Sequence, residues 1–188
     1  HYAHDGVAIG ECITWSIGFR APSHQELGDA FLAYLQDYLD LGGRYSDPDL
    51  VPQRHPAEIS AGMIDKVATA LAQVRWNRAT ISDFVGRYLS EPKPNVFFRP
   101  PQRPFSPRRF RAAAMRRGLR LDQRSQLLFA GKRFYINGEP AAVPIRARRL
   151  LQELADRREL ENLKHDDDTT MLYQWYCDGF LHLREGRQ

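Results

Sequence analysis

Only two cysteines, Cys12 and Cys177, occur in 188 residues. Far apart in sequence, they make neither a metal-ligand pair nor a disulfide framework. A reducing cytoplasm is the expected compartment. No run of about 18 apolar residues exists, so no transmembrane helix is expected. The first residues, His1-Tyr2-Ala3-His4-Asp5-Gly6, lack the basic and apolar regions of a signal peptide. No initiator Met precedes them, and the expectation is a fragment or a processed chain. There is no internal repeat. Lysine is scarce: Arg outnumbers Lys 23 to 4.

What the chain does contain is 43% hydrophobic and 27% charged residues. That suffices for one sizeable core or two small ones in a globular protein. The net charge is +4, and the excess is uneven. From Arg99 to Arg124 there are nine Arg and a single Asp, Asp122. Arg146, Arg148 and Arg149 form a second cluster, with Arg157 and Arg158 beyond. Such a patch suits RNA, a ribosomal surface or DNA. The alternative is a solvated arginine-rich surface that reflects codon bias.

Residues 7–19 read as strand. Ile13, Trp15, Ile17 and Phe19 share one face; Cys12, Thr14, Ser16 and Gly18 share the other. The small polar face suits the inside of a ligand-holding barrel. Ser23 and Glu26 form a capping box for a helix to about Leu41, which Gly42-Gly43 ends. Residues 44–56 read as a loop. A second helix, opening near Pro56, uses Ile59, Met63, Val67, Ala70, Leu71 and Val74. A third, from Thr80 or Ser82, uses Phe84, Val85, Tyr88 and Leu89. Residues 91–107 hold six prolines and read as a linker. After it come a short helix from Ser106-Pro107, an extended Leu119-Arg120-Leu121, and two strands around Gly131-Lys132. Asn137-Gly138 is a second turn signal. Helices at 145–158 and from Thr169 or Thr170, then a strand Phe180–Leu183, suggest a winged-helix module.

Most histidines read as ordinary polar residues. His24 stands near a helix start and His55 before Pro56. His1 falls in an approach loop. His165 with Asp166, Asp167 and Asp168 reads as a solvated acidic loop or a cation chelate. His182, between Leu181 and Leu183, is expected to face water. Ser46-Asp47 has no base placed by sequence and reads as a structural turn. Tyr173, Trp175, Tyr176 and Phe180 read as core aromatics.

His4 is the candidate for chemistry, because His4-Asp5-Gly6 precedes a strand with a polar inner face. With Ser16-Ile17-Gly18-Phe19-Arg20-Ala21-Pro22, Gly42-Gly43-Arg44-Tyr45-Ser46-Asp47-Pro48-Asp49, His55-Pro56-Ala57 and Tyr135-Ile136-Asn137-Gly138-Glu139, it resembles the C-terminal portion of bacterial JmjC ribosomal oxygenases, the YcfD/RoxA type. The resemblance implies an α+β chain: the last strands of a JmjC double-stranded β-helix (cupin), a helical dimerisation segment and a C-terminal winged helix. The implied bounds are 1–22 for the barrel end, 23–91 for the helical dimerisation domain, 92–107 for the linker and 108–188 for the winged helix.

In such a family Fe(II) and 2-oxoglutarate serve hydroxylation of a side chain, an arginine in the bacterial type, on a large-subunit ribosomal protein. The resemblance assigns iron binding to His4 and places Thr14 and Ser16 beside the 2-oxoglutarate or substrate pocket. It also implies a homodimer through 23–91 and admits rRNA or ribosomal contact through the Arg-rich part. In that family the His-x-Asp pair lies well upstream of the second histidine, and this sequence has no residues upstream of His1, so two of three iron ligands are expected to be missing and the chain alone is expected to be inactive. The other reading is a winged-helix nucleic-acid or ribosome-binding module without catalysis, with 145–158 as recognition helix.

Overall fold

The computed structural model describes residues 10–11, 21–48, 51–161, 163–164 and 168–184. Two compact units divide the chain, residues 1–38 and 39–188. Of the strand expected over 7–19 only residues 10–11 are described, and they form a bend with Gly10 at φ +86°; the rest lies outside the described residues.

In the first unit, helix α1 spans His24–Gln36. Ser23 and Glu26 form the expected capping box, each side chain meeting the other's backbone N–H. The helix stops five residues before the expected end, tightened by a bond from Tyr38 N–H to the Leu35 carbonyl. Phe31, Tyr34 and Tyr38 follow one another along its side, with ring centroids 6.2 and 4.8 Å apart.

The second unit opens with α2 (Ala61–Leu71) and α3 (Arg78–Ser90). Both start later or earlier than expected because of their caps. Ser60, not Pro56, accepts the Met63 N–H and opens α2; Asn77 accepts the Ala79 and Thr80 N–H groups and opens α3. None of α2 is buried. In α3, Phe84, Gly86 and Ser90 are buried, whereas Val85 and Leu89 of the expected apolar stripe are exposed.

Helix α4 (Pro107–Arg117) begins at an Ser106 cap with Pro107 in the first turn, where a missing N–H costs nothing. It ends at Gly118, whose φ of +79° and close approach to the Leu160 carbonyl leave no room for a side chain. Strand β1 (Leu119–Leu121) then lies between β5 (Glu159–Leu160) and β6 (Leu181–Leu183) in an antiparallel sheet. Strands β2 (Leu127–Ala130), β3 (Arg133–Ile136) and β4 (Glu139–Ala141) form a second antiparallel sheet. Gly131-Lys132 and Asn137-Gly138 are its two turns, as expected; Asn137 and Gly138 both have positive φ, the requirement of the tight hairpin turn.

A 3₁₀ turn, Ile145–Ala147, leads into α5 (Arg148–Arg157), and α6 (Thr170–Cys177) precedes β6. One core joins these elements. It contains Phe110 and Ala114 of α4, Leu119 and Leu121, Leu127, Phe134 and Ile136, Leu151 and Leu154 of α5, and Leu172, Trp175 and Tyr176 of α6. The C-terminal aromatics are core, as expected: Tyr176 stacks on Phe110 at 4.8 Å.

The stretch 92–107, expected as a linker, is instead a strap packed on this unit. Phe98 meets Phe180 edge-on at 4.7 Å, the Phe97 carbonyl accepts from Arg124 Nη1 at 2.9 Å, and the Phe105 carbonyl accepts from the Tyr173 hydroxyl at 3.0 Å. Gly179 has room only for a hydrogen where the strap crosses at Arg99. Proline holds the strap extended and lowers its unfolded-state entropy, so a rigid track results rather than a free tether.

Candidate functional site

His4, Thr14 and Ser16 lie outside the described residues. Among the described residues no group of three His, Cys, Asp or Glu side chains stands ready for a metal. The features that can be described are the dock of α3 on the hairpin, two further polar clusters and the arginine surface.

The dock uses Tyr135, Gly138 and Glu139 of the Tyr135-Ile136-Asn137-Gly138-Glu139 motif. The buried Tyr135 ring fills the space over Gly86, and its hydroxyl donates to Asp83 Oδ1 at 3.2 Å. Asp83 also receives Arg87 Nε at 2.9 Å, and Arg87 reaches Glu139 at 3.3 Å. Burial, then the Asp83 charge, pushes the Tyr135 phenol up, so it stays a donor at neutral pH. Ile136 enters the core. Asn137 Oδ1 accepts the Gln126 N–H at 2.8 Å. The Gly138 N–H donates to the buried Ser90 hydroxyl at 3.1 Å, which in turn donates to the Gly86 carbonyl at 2.7 Å. Beside the dock, α3, β2 and α5 enclose an apolar groove of about 650 Å³, lined by Ile81, Val85, Leu89, Leu128, Phe129 and Ala155, with Arg78 and Asp156 also on its walls.

Asp122 anchors a second cluster. It receives the backbone N–H and Nε of Arg124, both at 2.9 Å, and faces His182 Nε2 at 3.0 Å. His182 is therefore half-buried against a carboxylate rather than facing water; the antiparallel register sets β6 beside β1, one residue before Asp122. Burial works against ionisation of Asp122, but the Arg124 and His182 hydrogen bonds outweigh it and hold the carboxyl well below the usual range. Arg158, in the left-handed conformation at φ +61°, donates to the carbonyls of Asp122 at 2.9 Å and Ser125 at 3.0 Å.

The Gly-Gly-Arg-Tyr-Ser-Asp-Pro-Asp segment forms a third cluster, described as far as Pro48. Asp47 accepts from the Tyr45 hydroxyl at 2.8 Å and from Lys66 of α2 at 2.5 Å. Asp47 thus ties the segment to α2, the structural role expected of this turn.

The expected recognition helix, 145–158, is in part committed to structure, with Arg149 exposed. Leu151 and Leu154 are buried, Arg146 pairs with Asp168 at 2.8 Å, Arg157 with Glu153 at 3.4 Å, and Arg158 serves the turn just described. Arg146, and next the Thr170 N–H, lower the Asp168 carboxyl to about 2. Asp168 of the expected acidic loop is thereby committed to structure. Cys177 is a free thiol, half-buried.

The α4–β1 unit with its helices and antiparallel wings, clamped by α3, is a winged-helix module. The chain belongs to the ROXA-like winged helix family, whose match covers residues 73–182. That span begins before α3 and so includes the dock. A curated relative, the ribosomal protein uL16 3-hydroxylase of Escherichia coli K12, is 31% identical over 107 residues, covering 56% of this chain and 28% of the relative. The X-ray structure of E. coli ycfD is similar at TM-score 0.66 and 26% identity, over 89% of this chain and 46% of that one. YcfD, a ribosomal oxygenase, in complex with cobalt and 2-oxoglutarate is similar at TM-score 0.65 and 25% identity, over 90% and 48%. The chain therefore spans about half the length of these solved relatives, and the expected kinship with ribosomal oxygenases is borne out.

Proposed function

We propose that this chain is the C-terminal part of an Fe(II)- and 2-oxoglutarate-dependent oxygenase that hydroxylates an arginine side chain of a large-subunit ribosomal protein in the cytoplasm. The observation that carries the proposal is the 31% identity to the uL16 3-hydroxylase over 107 residues. Cobalt with 2-oxoglutarate in the structurally similar YcfD supports the cofactor assignment. Cobalt is a divalent ion that accepts the nitrogen and oxygen ligands suited to iron.

His4 would hold the iron through its imidazole, a ligand type that suits a 2-His-1-carboxylate site. Thr14 and Ser16, on the small polar face of the same run, would border 2-oxoglutarate or substrate. The bound iron and 2-oxoglutarate supply the oxygen-activating chemistry. The His-x-Asp ligands come from outside this sequence, so the chain alone should be inactive. Its winged helix presents or docks the substrate, and its Arg-rich surface meets the ribosomal surface.

The α1–α3 region, within 23–91, is proposed as the homodimer interface. The support is unburied apolar surface: Ile64 and Leu71 of α2 are 57% and 60% exposed, and no residue of α2 is buried.

The test is mass spectrometry of uL16 after incubation with the full-length protein, Fe(II) and 2-oxoglutarate, beside a His4→Ala variant. One added oxygen on an arginine, absent with the variant, is the expected result. No added oxygen with an iron-loaded protein would remove uL16 as the substrate.

A further inference from the structure

We propose that the outer face of α4, with the strap leading into it, is a binding surface for single-stranded RNA. Charge and geometry carry the inference. The chain has 23 acidic residues, yet not one lies between Glu91 and Asp122. Several arginines elsewhere meet carboxylates: Arg87 with Asp83, Arg124 with Asp122, Arg146 with Asp168, Arg184 with Glu161. On α4, Arg108, Arg109 and Arg116 are exposed and have no carboxylate partner among the described residues. Phe110, Ala113 and Ala114 bury the opposite side of the helix, which turns these arginines outward.

Helix stability does not account for them. Arg108 and Arg109 stand in the first turn, where the helix dipole disfavours positive charge, and no acidic residue offsets it. Mutual repulsion along such a face is relieved by a polyanion. From Arg108 to Arg116 the helix rises about 12 Å, enough to follow a phosphate backbone over several nucleotides. Arg103 extends the track on the strap.

Aromatic surface makes the surface fit a single strand. Arg109 lies over the Phe105 ring at 5.6 Å, and Phe97 is 74% exposed with Arg124 held against its carbonyl. An exposed ring beside cations is a stacking platform for an unpaired base. A duplex offers no such base. The choice of RNA over other polyanions rests on the ribosomal reading above; the anion-binding surface itself does not.

The experiment is fluorescence anisotropy of the 188-residue chain with a labelled single-stranded RNA of about 12 nucleotides, between about 50 and 200 mM salt. The variant Arg103→Gln/Arg108→Gln/Arg116→Gln keeps helix-forming side chains at exposed positions. It should weaken binding at least about tenfold and reduce the slope of log K against log salt by about 2. Phe97→Ala, away from α4, should weaken binding about fivefold or more with the slope unchanged. Arg146→Gln/Arg149→Gln should bind as the parent chain does. Unchanged binding in the triple variant overturns the proposal. So does tighter binding to duplex DNA of equal length, or binding to phosphatidylglycerol vesicles with none to RNA. No iron or 2-oxoglutarate is needed, so RNA binding by this chain, beside an iron-loaded full-length protein that leaves uL16 unmodified, would remove uL16 as the substrate and leave the RNA surface standing.

Discussion

The ring of Tyr135 lies where a side chain of Gly86 would have to be. A Cβ built on Gly86 collides with three atoms of that ring, so α3 meets the hairpin at a distance only glycine permits. The tyrosine hydroxyl then finds Asp83, one turn earlier on the same helix face. Packing and hydrogen bonding thus select the same register of helix on sheet.

Gly86→Ala should therefore be costly although alanine favours helix. Overpacking costs about 1–3 kcal/mol, against a helix-propensity gain of roughly 1 kcal/mol or less. Urea denaturation should show a net loss of stability. A gain would mean that α3 is not held on Tyr135.

Ser90→Ala should lose more than Tyr135→Phe. The serine change leaves the Gly138 N–H in the dock without its partner, costing about 1–3 kcal/mol. The phenylalanine keeps the packing and gives up one hydroxyl bond to Asp83, which still has Arg87, a loss of about 0.5–1.5 kcal/mol. Paired melting curves give the order.

Acid should destabilise the winged helix through Asp122. Its carboxyl is held below the ordinary 3.8, so the folded state binds fewer protons than the unfolded one in that range. The stabilisation is full above about pH 4 and is lost as pH falls below it. Asp122→Asn should lower stability at pH 7 and flatten the acid limb. Asp168, lowered to about 2, adds a smaller part with the same sign, weakened by salt because Arg146 is exposed. Denaturation midpoints from pH 7 to pH 2 test both.

At Arg158 two effects oppose one another. Glycine relieves the left-handed backbone, worth roughly 1 kcal/mol, but both Arg158→Gly and Arg158→Ala remove donors to the Asp122 and Ser125 carbonyls. Arg158→Ala should be the less stable of the two, and both less stable than the parent. Equal melting temperatures for the two variants would show that the backbone conformation carries no strain.

If α2 forms the dimer interface, Val67→Glu/Leu71→Glu should yield monomers without loss of helicity, since both side chains are exposed in the single chain. Sedimentation velocity of parent and variant at matched micromolar concentration decides it. A parent that is monomeric throughout removes the interface.

Local signals in the sequence decided the local structure. Ser23 with Glu26, Ser106 with Pro107, Gly131-Lys132 and Asn137-Gly138 act through their own backbone geometry, so the starts of α1 and α4 and the hairpin turns were legible, whereas the Ser60 and Asn77 caps of α2 and α3 were not. The motif residues also pointed to the family, although the sequence alone did not show why Tyr135 to Glu139 belong together. That is decided by α3, some 50 residues earlier, which supplies Gly86, Asp83, Arg87 and Ser90 to them. The prolines of 92–107 read as a linker because composition reports stiffness and not contact; Phe98 on Phe180 and Gly179 beneath Arg99 make the strap. His182 read as a solvent-facing strand residue because alternation reports faces and not partners, and only the pairing of β6 with β1 brings it to Asp122. Arginine content was plain from the sequence, but which arginines meet carboxylates and which stand open on α4 follows from long-range pairings that tertiary structure alone creates.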